Sequence, residues 1–539
     1  MKSVETRSKE RLHLDLVLRT SLIVFFFLIG AKILNFLKKI LIGNLFGVSW
    51  VADAFFAASY LPYHLAVFFE GVIFLGFLPL FSKVRAEKGE EEANLFLSEV
   101  LLIIFLLTVG AVLYVGWQSP WIIRELVPGF KANERELTQG LFQVLTLVLI
   151  LISLTSFFKA LNSYFGHYAV AASSAFVDSL VMLGTTLFCW KAWGIYSAAW
   201  GSVLGVFIAM ILQALFLSRK NAIFPKKFHL RADSLKKLFY FFAATGAIWV
   251  LQQIPFVILN RFGSGMWEGT ISALTIAQTL TTVPMGLVSH AVLFVIFPSM
   301  TKQAHEPSSK NLKETFFQTL RGAFLILIPL GFLITALARP LSALFFVGGG
   351  IGEEGTSRIA NSLACLGWAG FALYADLFMT QSLIAVQKPF PAIFLCATRA
   401  GLTYFLSYFL SAIWDYQGLA LSFSLALVFN LFFLFPLFFR MSPLKGKWRD
   451  LLGYSIQLIL ASSPVLLLGR FVSHWPVAVW RNLSQTTILM SLGLGFLIGM
   501  SLYVLLLSWL RVQEIHAAIQ ALKKSLRPEN LVTTSSESP

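Results

Sequence analysis

Charge is scarce in this chain of 539 residues: only 13% are Asp, Glu, Lys or Arg, against roughly 25% in soluble domains. Acids are the scarcer sign, 26 against 42 basic residues, for a net charge of +16. Cysteine is limited to Cys189, Cys365 and Cys396, all in apolar runs. This excludes a disulfide scaffold and leaves the three as small hydrophobes. No Gly-rich loop followed by Lys-Ser/Thr occurs, which speaks against an ATP-driven pump. There is no His-Glu-x-x-His, no Cys-x-x-Cys and no loop carrying a Ser-His-Asp context, and the loops are too short to hold a soluble catalytic domain. A transporter is therefore expected rather than an enzyme, with no cofactor or metal. What the chain has in quantity is grease: 57% hydrophobic residues, 53 Phe and a mean hydropathy of +0.77. That composition excludes disorder and collagen and predicts an all-α polytopic membrane protein.

Runs of about 20 apolar residues mark the spans. Fourteen are expected, near 20–43, 51–81, 94–117, 138–158, 169–190, 194–217, 238–260, 271–298, 316–338, 360–381, 390–413, 417–439, 451–469 and 484–510. The first lacks a small-residue cleavage site, so it reads as a retained span rather than a signal peptide. With both termini cytoplasmic, the cytoplasmic pieces hold 28 of the 42 basic residues, the opposite loops 9, and the spans and their edges 5. This bias of about three to one fits the positive-inside rule and supports fourteen spans with both termini inside. Because the basic residues are spread over eight pieces, nucleic acid is not expected as a partner.

An internal repeat sets the architecture. Asn44-Leu45-Phe46-Gly47 returns as Asn260-Arg261-Phe262-Gly263, an offset of 216. Pro79 and Lys83 return as Pro298 and Lys302, an offset of 219. Six spans separate the copies, an even number, so the halves run in the same direction, one known transporter plan with its site at the repeat interface. The expected layout is a basic N-terminus (1–19), an N-lobe of six spans (20–217), a basic linker (218–237), a C-lobe of six spans (238–440), two further spans (451–510) and a cytoplasmic tail (511–539).

Ionisable groups at membrane depth cost about 2.5–3.5 kcal/mol on insertion scales and usually face a cavity or a partner. Lys32, Asn35 and Lys39 lie on one stripe of the first helix, with Lys38 off it. Asp53, Tyr60 and His64 form a stripe on the second helix, with Glu70 deeper. A basic first helix beside an acidic second would leave surplus positive charge to receive an anionic headgroup. These eight residues are the candidate substrate site. Set against this, Lys38 and Lys39 could snorkel to the interface and Asp53 could merely cap its helix. Asp178 and Asp376 are candidate ion-coupling residues, although Asp376 and Arg399 on neighbouring helices could simply pair. His290 reads as a core histidine.

The stretch Ala31-Lys32-Ile33-Leu34-Asn35-Phe36-Leu37-Lys38-Lys39, then Phe46-Gly47, Asp53-Ala54-Phe55-Phe56, Leu61-Pro62, Glu70-Gly71 and Phe77-Leu78-Pro79 resembles the N-terminal signature of the MurJ (MviN) lipid II flippases. These belong to the multidrug/oligosaccharidyl-lipid/polysaccharide exporter superfamily. Ala160-Leu161-Asn162-Ser163, Ala199-Trp200-Gly201, Glu268 to Leu274, Pro284-Met285-Gly286-Leu287 and Leu344-Phe345 follow in family order. The resemblance implies a two-lobed fold that moves lipid-linked peptidoglycan precursor to the outer leaflet by alternating access. It also implies that basic residues receive the diphosphate-sugar and that the last two helices form a groove for the lipid tail. Lys32 and Lys38 stand where the family has Arg, and Asp53 and Glu70 match its acids. The sequence also departs from the family: Lys39 replaces a usual Asp, His64-Leu65-Ala66-Val67 replaces an Arg pair, and Gln278-Thr279 replaces Asp/Asn-Arg.

A divergent lipid II flippase is the expectation, with lipid-linked saccharide and membrane lipids as partners, possible cell-wall synthesis proteins beside it, and a membrane potential or a Na+ or H+ gradient as driving force. The rivals are a cation-coupled drug, metabolite or polysaccharide exporter of the same superfamily and a non-transporting scaffold in envelope synthesis.

Overall fold

A computed structural model describes residues 2–73, 77–218, 232–304, 309–346, 350–385, 389–441, 448–467, 469 and 477–510. The linker 219–231, the tail 511–539 and the side chains of 1–19, His290, Pro298 and Lys302 lie outside the described residues.

The described chain is helical throughout. In order the helices are α1 (Lys2–Phe46), α2 (Trp50–Val72), α3 (Leu78–Lys88), α4 (Glu90–Trp117), α5 (Ser119–Leu126) and α6 (Ala132–Tyr164). Then come α7 (Tyr168–Trp193), α8 (Tyr196–Ser218), α9 (Ala232–Gly263), α10 (Thr270–Ala304), α11 (Ser309–Ala336) and α12 (Ala338–Phe346). The last are α13 (Glu353–Gly367), α14 (Gly370–Ala385), α15 (Pro389–Met441), α16 (Trp448–Ser462), α17 (Val477–Asn482) and α18 (Gln485–Trp509). Helices are what lipid permits, because every backbone polar group must be satisfied within its own segment. Large apolar side chains such as Phe105, Phe188, Leu494 and Leu497 point outward, as the hydrocarbon requires. Buried hydroxyls bond back to their own helix: Thr108 to the Ile104 carbonyl, Ser153 to Leu149 and Thr186 to Met182.

Eleven of these helices are long and apolar enough to cross a membrane, or twelve if α13 and α14, bent by 50°, form one span. The expected fourteen are thus not matched helix for helix. The segments 390–413 and 417–439 both lie in α15, which is interrupted by non-helical Trp414 and Asp415 (φ 49°). Straight, its 53 residues would reach about 80 Å at 1.5 Å per residue, well beyond a hydrocarbon core of about 30 Å. The chain instead folds back there. Ser407 bonds Ser422 at 2.8 Å and Thr398 bonds Asn430 at 3.1 Å, two pairs centred on the break, so α15 is an antiparallel hairpin. The segment 238–260 lies in α9, of which only the second half carries described side chains.

Two bundles result. In the first, α1 packs on α7, α2 on α6, and α8 on both α6 and α7. In the second, α9 packs on α15, α10 on α11, α13 and α14, and α14 on α15. α16 and α18 lie against α11. Each bundle has a buried polar knot. Asn162 of α6 donates to the Gln213 side chain of α8 at 2.8 Å, and Gln213 donates to the Val170 carbonyl of α7 at 2.6 Å. In the second bundle Asp376 of α14 accepts from Arg399 and, at 2.9 Å, from Asn430. Arg399 also donates to the Gln252 carbonyl of α9 at 2.9 Å.

Candidate functional site

The first two helices of each bundle meet their counterparts crosswise, α1 against α10 and α2 against α9. Between them lies a cavity of about 370 Å3. Asn35, Lys38, Lys39 and Ile42 come from α1; Phe55, Phe56, Ser59, Tyr60, Tyr63 and His64 from α2; and Met182 from α7. The second bundle supplies Phe256, Leu259 and Asn260 from α9 and Ile271, Leu274, Thr275, Gln278, Thr279 and Thr282 from α10.

Two adjacent lysines provide the charge. Lys39 crosses to the second bundle and donates to the Thr279 hydroxyl at 2.9 Å. Lys38 stays in its own bundle, 3.3 Å from the Asp178 carboxylate of α7, with both side chains largely buried. Facing them is a neutral wall of rings and amides. The Tyr60 hydroxyl donates to the Gln253 carbonyl at 3.0 Å, and the His64 ring lies 4.2 Å from that of Tyr60 and stacks on Phe256.

The structure therefore gathers Asn35, Lys38, Lys39, Tyr60 and His64 at one cavity and leaves the other candidates outside its lining. Lys32 is exposed on the same stripe, two turns from Lys39. The acids of the second helix do not face the lysines of the first. Both oxygens of Asp53 accept backbone N–H groups at the start of α10, from Gly269 at 2.8 Å and Ser272 at 2.6 Å. Asp53 thus caps a helix of the other bundle, where a carboxylate meets both free N–H groups and the positive end of the dipole. Glu70 pairs with Lys159 of α6 at 2.7 Å, within the first bundle. Asp376 is held by Arg399 and Asn430, the pairing on neighbouring helices that the sequence offered beside ion coupling. Asp178 turns out to be the neighbour of Lys38, a contact 140 residues apart in sequence that no helical spacing indicates. In the sequence Gln278 and Thr279 stand out only as a departure from the family pattern, Asn260 only as part of the repeat, and Gln253 not at all, because neutral polar residues are common in membrane helices.

One end of the inter-bundle cleft is sealed, the end that carries the α1–α2 and α9–α10 turns. Besides the Asp53 cap, Arg261 pairs with Glu125 at 3.0 Å and Lys131 with Glu268 at 3.1 Å. The hydrogen bond from Lys131 to Glu268 raises the pKa of this exposed ammonium above the usual lysine value. The Gly129 N–H donates to the Ser264 hydroxyl at 3.1 Å. The backbones nearly touch: a Cβ on Gly129 would lie 2.4 Å from Gly265.

A family model described as lipid II flippase MurJ matches residues 42–483, more than four fifths of the sequence. The chain belongs to the lipid II flippase MurJ family. It is a distant member. A probable lipid II flippase MurJ of Rhizobium tropici is 24% identical over 495 residues, covering 88% of this chain and 91% of the relative. One of Buchnera aphidicola subsp. Acyrthosiphon pisum (strain APS) is 22% identical over 463 residues, covering 84% and 89%. Among solved structures, a lipid II flippase MurJ in an inward closed conformation superposes with a TM-score of 0.73 at 21% identity, covering 92% of this chain and 98% of that one. An inward-facing multidrug resistance MATE transporter superposes at 0.66 with 14% identity, covering 77% and 95%. MurJ and MATE proteins thus share one helical framework, which this multi-pass membrane protein adopts.

Proposed function

We propose that this chain is a flippase for lipid II, carrying the lipid-linked peptidoglycan precursor from the inner to the outer leaflet of the bacterial cytoplasmic membrane by alternating access. The observation that carries the reading is the pair Lys38–Lys39 at the inter-bundle cavity. Lys39 is held by a neutral hydroxyl and keeps its charge available to a diphosphate. The ring-and-amide wall opposite suits a saccharide, which is recognised by hydrogen bonds and by stacking on aromatic faces. Exporters of cationic drugs need acids in the cavity, and the acids of α2 are used elsewhere. The positive-inside count puts both termini in the cytoplasm and the sealed end outside. In this reading the cavity loads from the cytoplasmic leaflet, and the seal must open to release the cargo.

The deciding experiment is rescue of a bacterium depleted of its own lipid II flippase, scored by the accessibility of the precursor outside the membrane. Restored growth and restored accessibility are expected; failure of both from a chain shown to reach the membrane overturns the proposal. The seal has its own test. Gly129→Ala places a methyl group against the Gly265 backbone and must part the bundles there. In a chain with its three cysteines replaced, a cysteine at Ser59 on the cavity wall is expected to react about fivefold faster with an impermeant thiol reagent from outside, a shift of about 1 kcal/mol. An unchanged rate would mean that this contact does not close the cavity.

A further inference from the structure

Lys38 and Lys39 differ in their company. Lys39 ends on a neutral hydroxyl of the other bundle, whereas Lys38 ends on Asp178. Only one carboxylate oxygen of Asp178, Oδ2, is used there; the other, Oδ1, is buried without a hydrogen-bond partner. It lies against α8, where a Cβ on Gly205 would approach it to 3.0 Å. The site as it stands contains two ammonium groups and one carboxylate, a net charge of +1.

A diphosphate diester brings two negative charges. Lys38 lines the cavity, and its ammonium can either neutralise Asp178 or serve an anion in the cavity. It cannot do both at full strength. Once it turns to the anion, Asp178 is a carboxylate in a largely buried place with no cation beside it. Buried carboxylates in that position take up a proton or a metal ion rather than remain bare. The charges then balance: two ammonium groups against the diphosphate, and one incoming positive charge against Asp178.

We infer that Asp178 is the displaceable counter-ion of Lys38 and, when lipid-linked diphosphate binds, the site that takes up one positive charge, either a proton or an alkali-metal ion. The inference rests on the proposed function above and adds a coupling site to it. The other ionisable groups that could compete are few. Tyr63 of α2 is within electrostatic reach of Asp178. α8 has no ionisable side chain besides Tyr196, near its start. The charged residues of α6 are Glu134, Arg135 and Glu136 at one end and Lys159, paired with Glu70, at the other. Binding of anion and cation at one site must be reciprocal, each raising the affinity of the other by the same factor.

The test uses the full chain in nanodiscs with lipid II as the probe. Its affinity is measured between pH 6 and pH 8.5, with sodium, potassium or N-methylglucamine as the only cation, and proton uptake on binding is followed with a dye in weak buffer. For a proton, affinity is expected to fall up to tenfold per pH unit as the pH rises, with up to one proton taken up per lipid II bound. For an alkali ion, affinity is expected to depend on sodium or potassium concentration and to be weakest in N-methylglucamine. Asp178→Asn is expected to bind lipid II at least as tightly as the parent and to lose both dependences, because Lys38 is then free and no carboxylate needs a partner. A parent that binds with no pH or cation dependence overturns the inference, as does an Asp178→Asn chain that keeps it. Failure of the parent to bind lipid II at all overturns the proposed function and this inference with it. Asp178→Glu, which keeps the charge, is expected to keep the dependence, so loss in both variants would assign the residue to packing alone.

Discussion

Lys39→Met is expected to abolish rescue of a flippase-depleted cell, and in purified form to weaken lipid II binding by roughly ten- to hundredfold. The estimate follows from a hydrogen bond to a charged group being worth about 1.5–3 kcal/mol. Lys39 is the cavity cation whose bonded partner is neutral, the Thr279 hydroxyl, so no carboxylate competes for it and its loss removes available positive charge. Lys39→Arg keeps the charge with a different fork of donors and is expected to retain part of the activity. Thr279→Val tests the other side of the contact. It removes the acceptor without changing the charge, and a severalfold smaller effect than Lys39→Met is expected. Lys32→Ala, exposed two turns away, is expected to have the weakest effect of the α1 replacements. Transport unchanged in both Lys32→Ala and Lys39→Ala would remove charge from the mechanism altogether.

Some of this site is legible in the sequence, and the legible part is what a single helix decides. The stripe Lys32, Asn35, Lys39 follows from the 3.6-residue period, and two of its three members reach the cavity. Tyr60 and His64 follow likewise, one face of α2 meeting α9. Partnerships across helices are another matter. Asp53 shares a stripe with Tyr60 and His64, yet both its oxygens go to the start of α10. Those two contacts span 216 and 219 residues, the same offsets as the internal repeat. Asp53 thus reaches the segment that those offsets align with its own, a correspondence the sequence carries without indicating the chemistry of the contact. Lys38–Asp178 has no such signature, because it depends on how α1 and α7 are rotated against each other. The segments 390–413 and 417–439 are legible as separate apolar runs, and the structure keeps them as two arms joined by the tight turn at Trp414 and Asp415.

Arg399→Met is expected to be the most destabilising single replacement in the second bundle. Arg399 and Asp376 are both buried, and the guanidinium also satisfies the Gln252 carbonyl of α9. Removing one partner of a buried ion pair leaves the other uncompensated, at about 3–5 kcal/mol. Asn430 donates to Asp376 but brings no charge, so it does not replace the arginine. A large fall in the thermal unfolding temperature in detergent is expected, with much reduced amounts in the membrane. The double variant Asp376→Leu/Arg399→Met removes both charges, and replacing a buried pair with apolar residues is often close to neutral. It is expected to recover most of the lost stability. The same variant also separates two roles for Asp376. If the pair only fastens α14 and α15 to α9, the recovered protein transports as the parent does. If Asp376 carried a coupling ion, stability would return and transport would not.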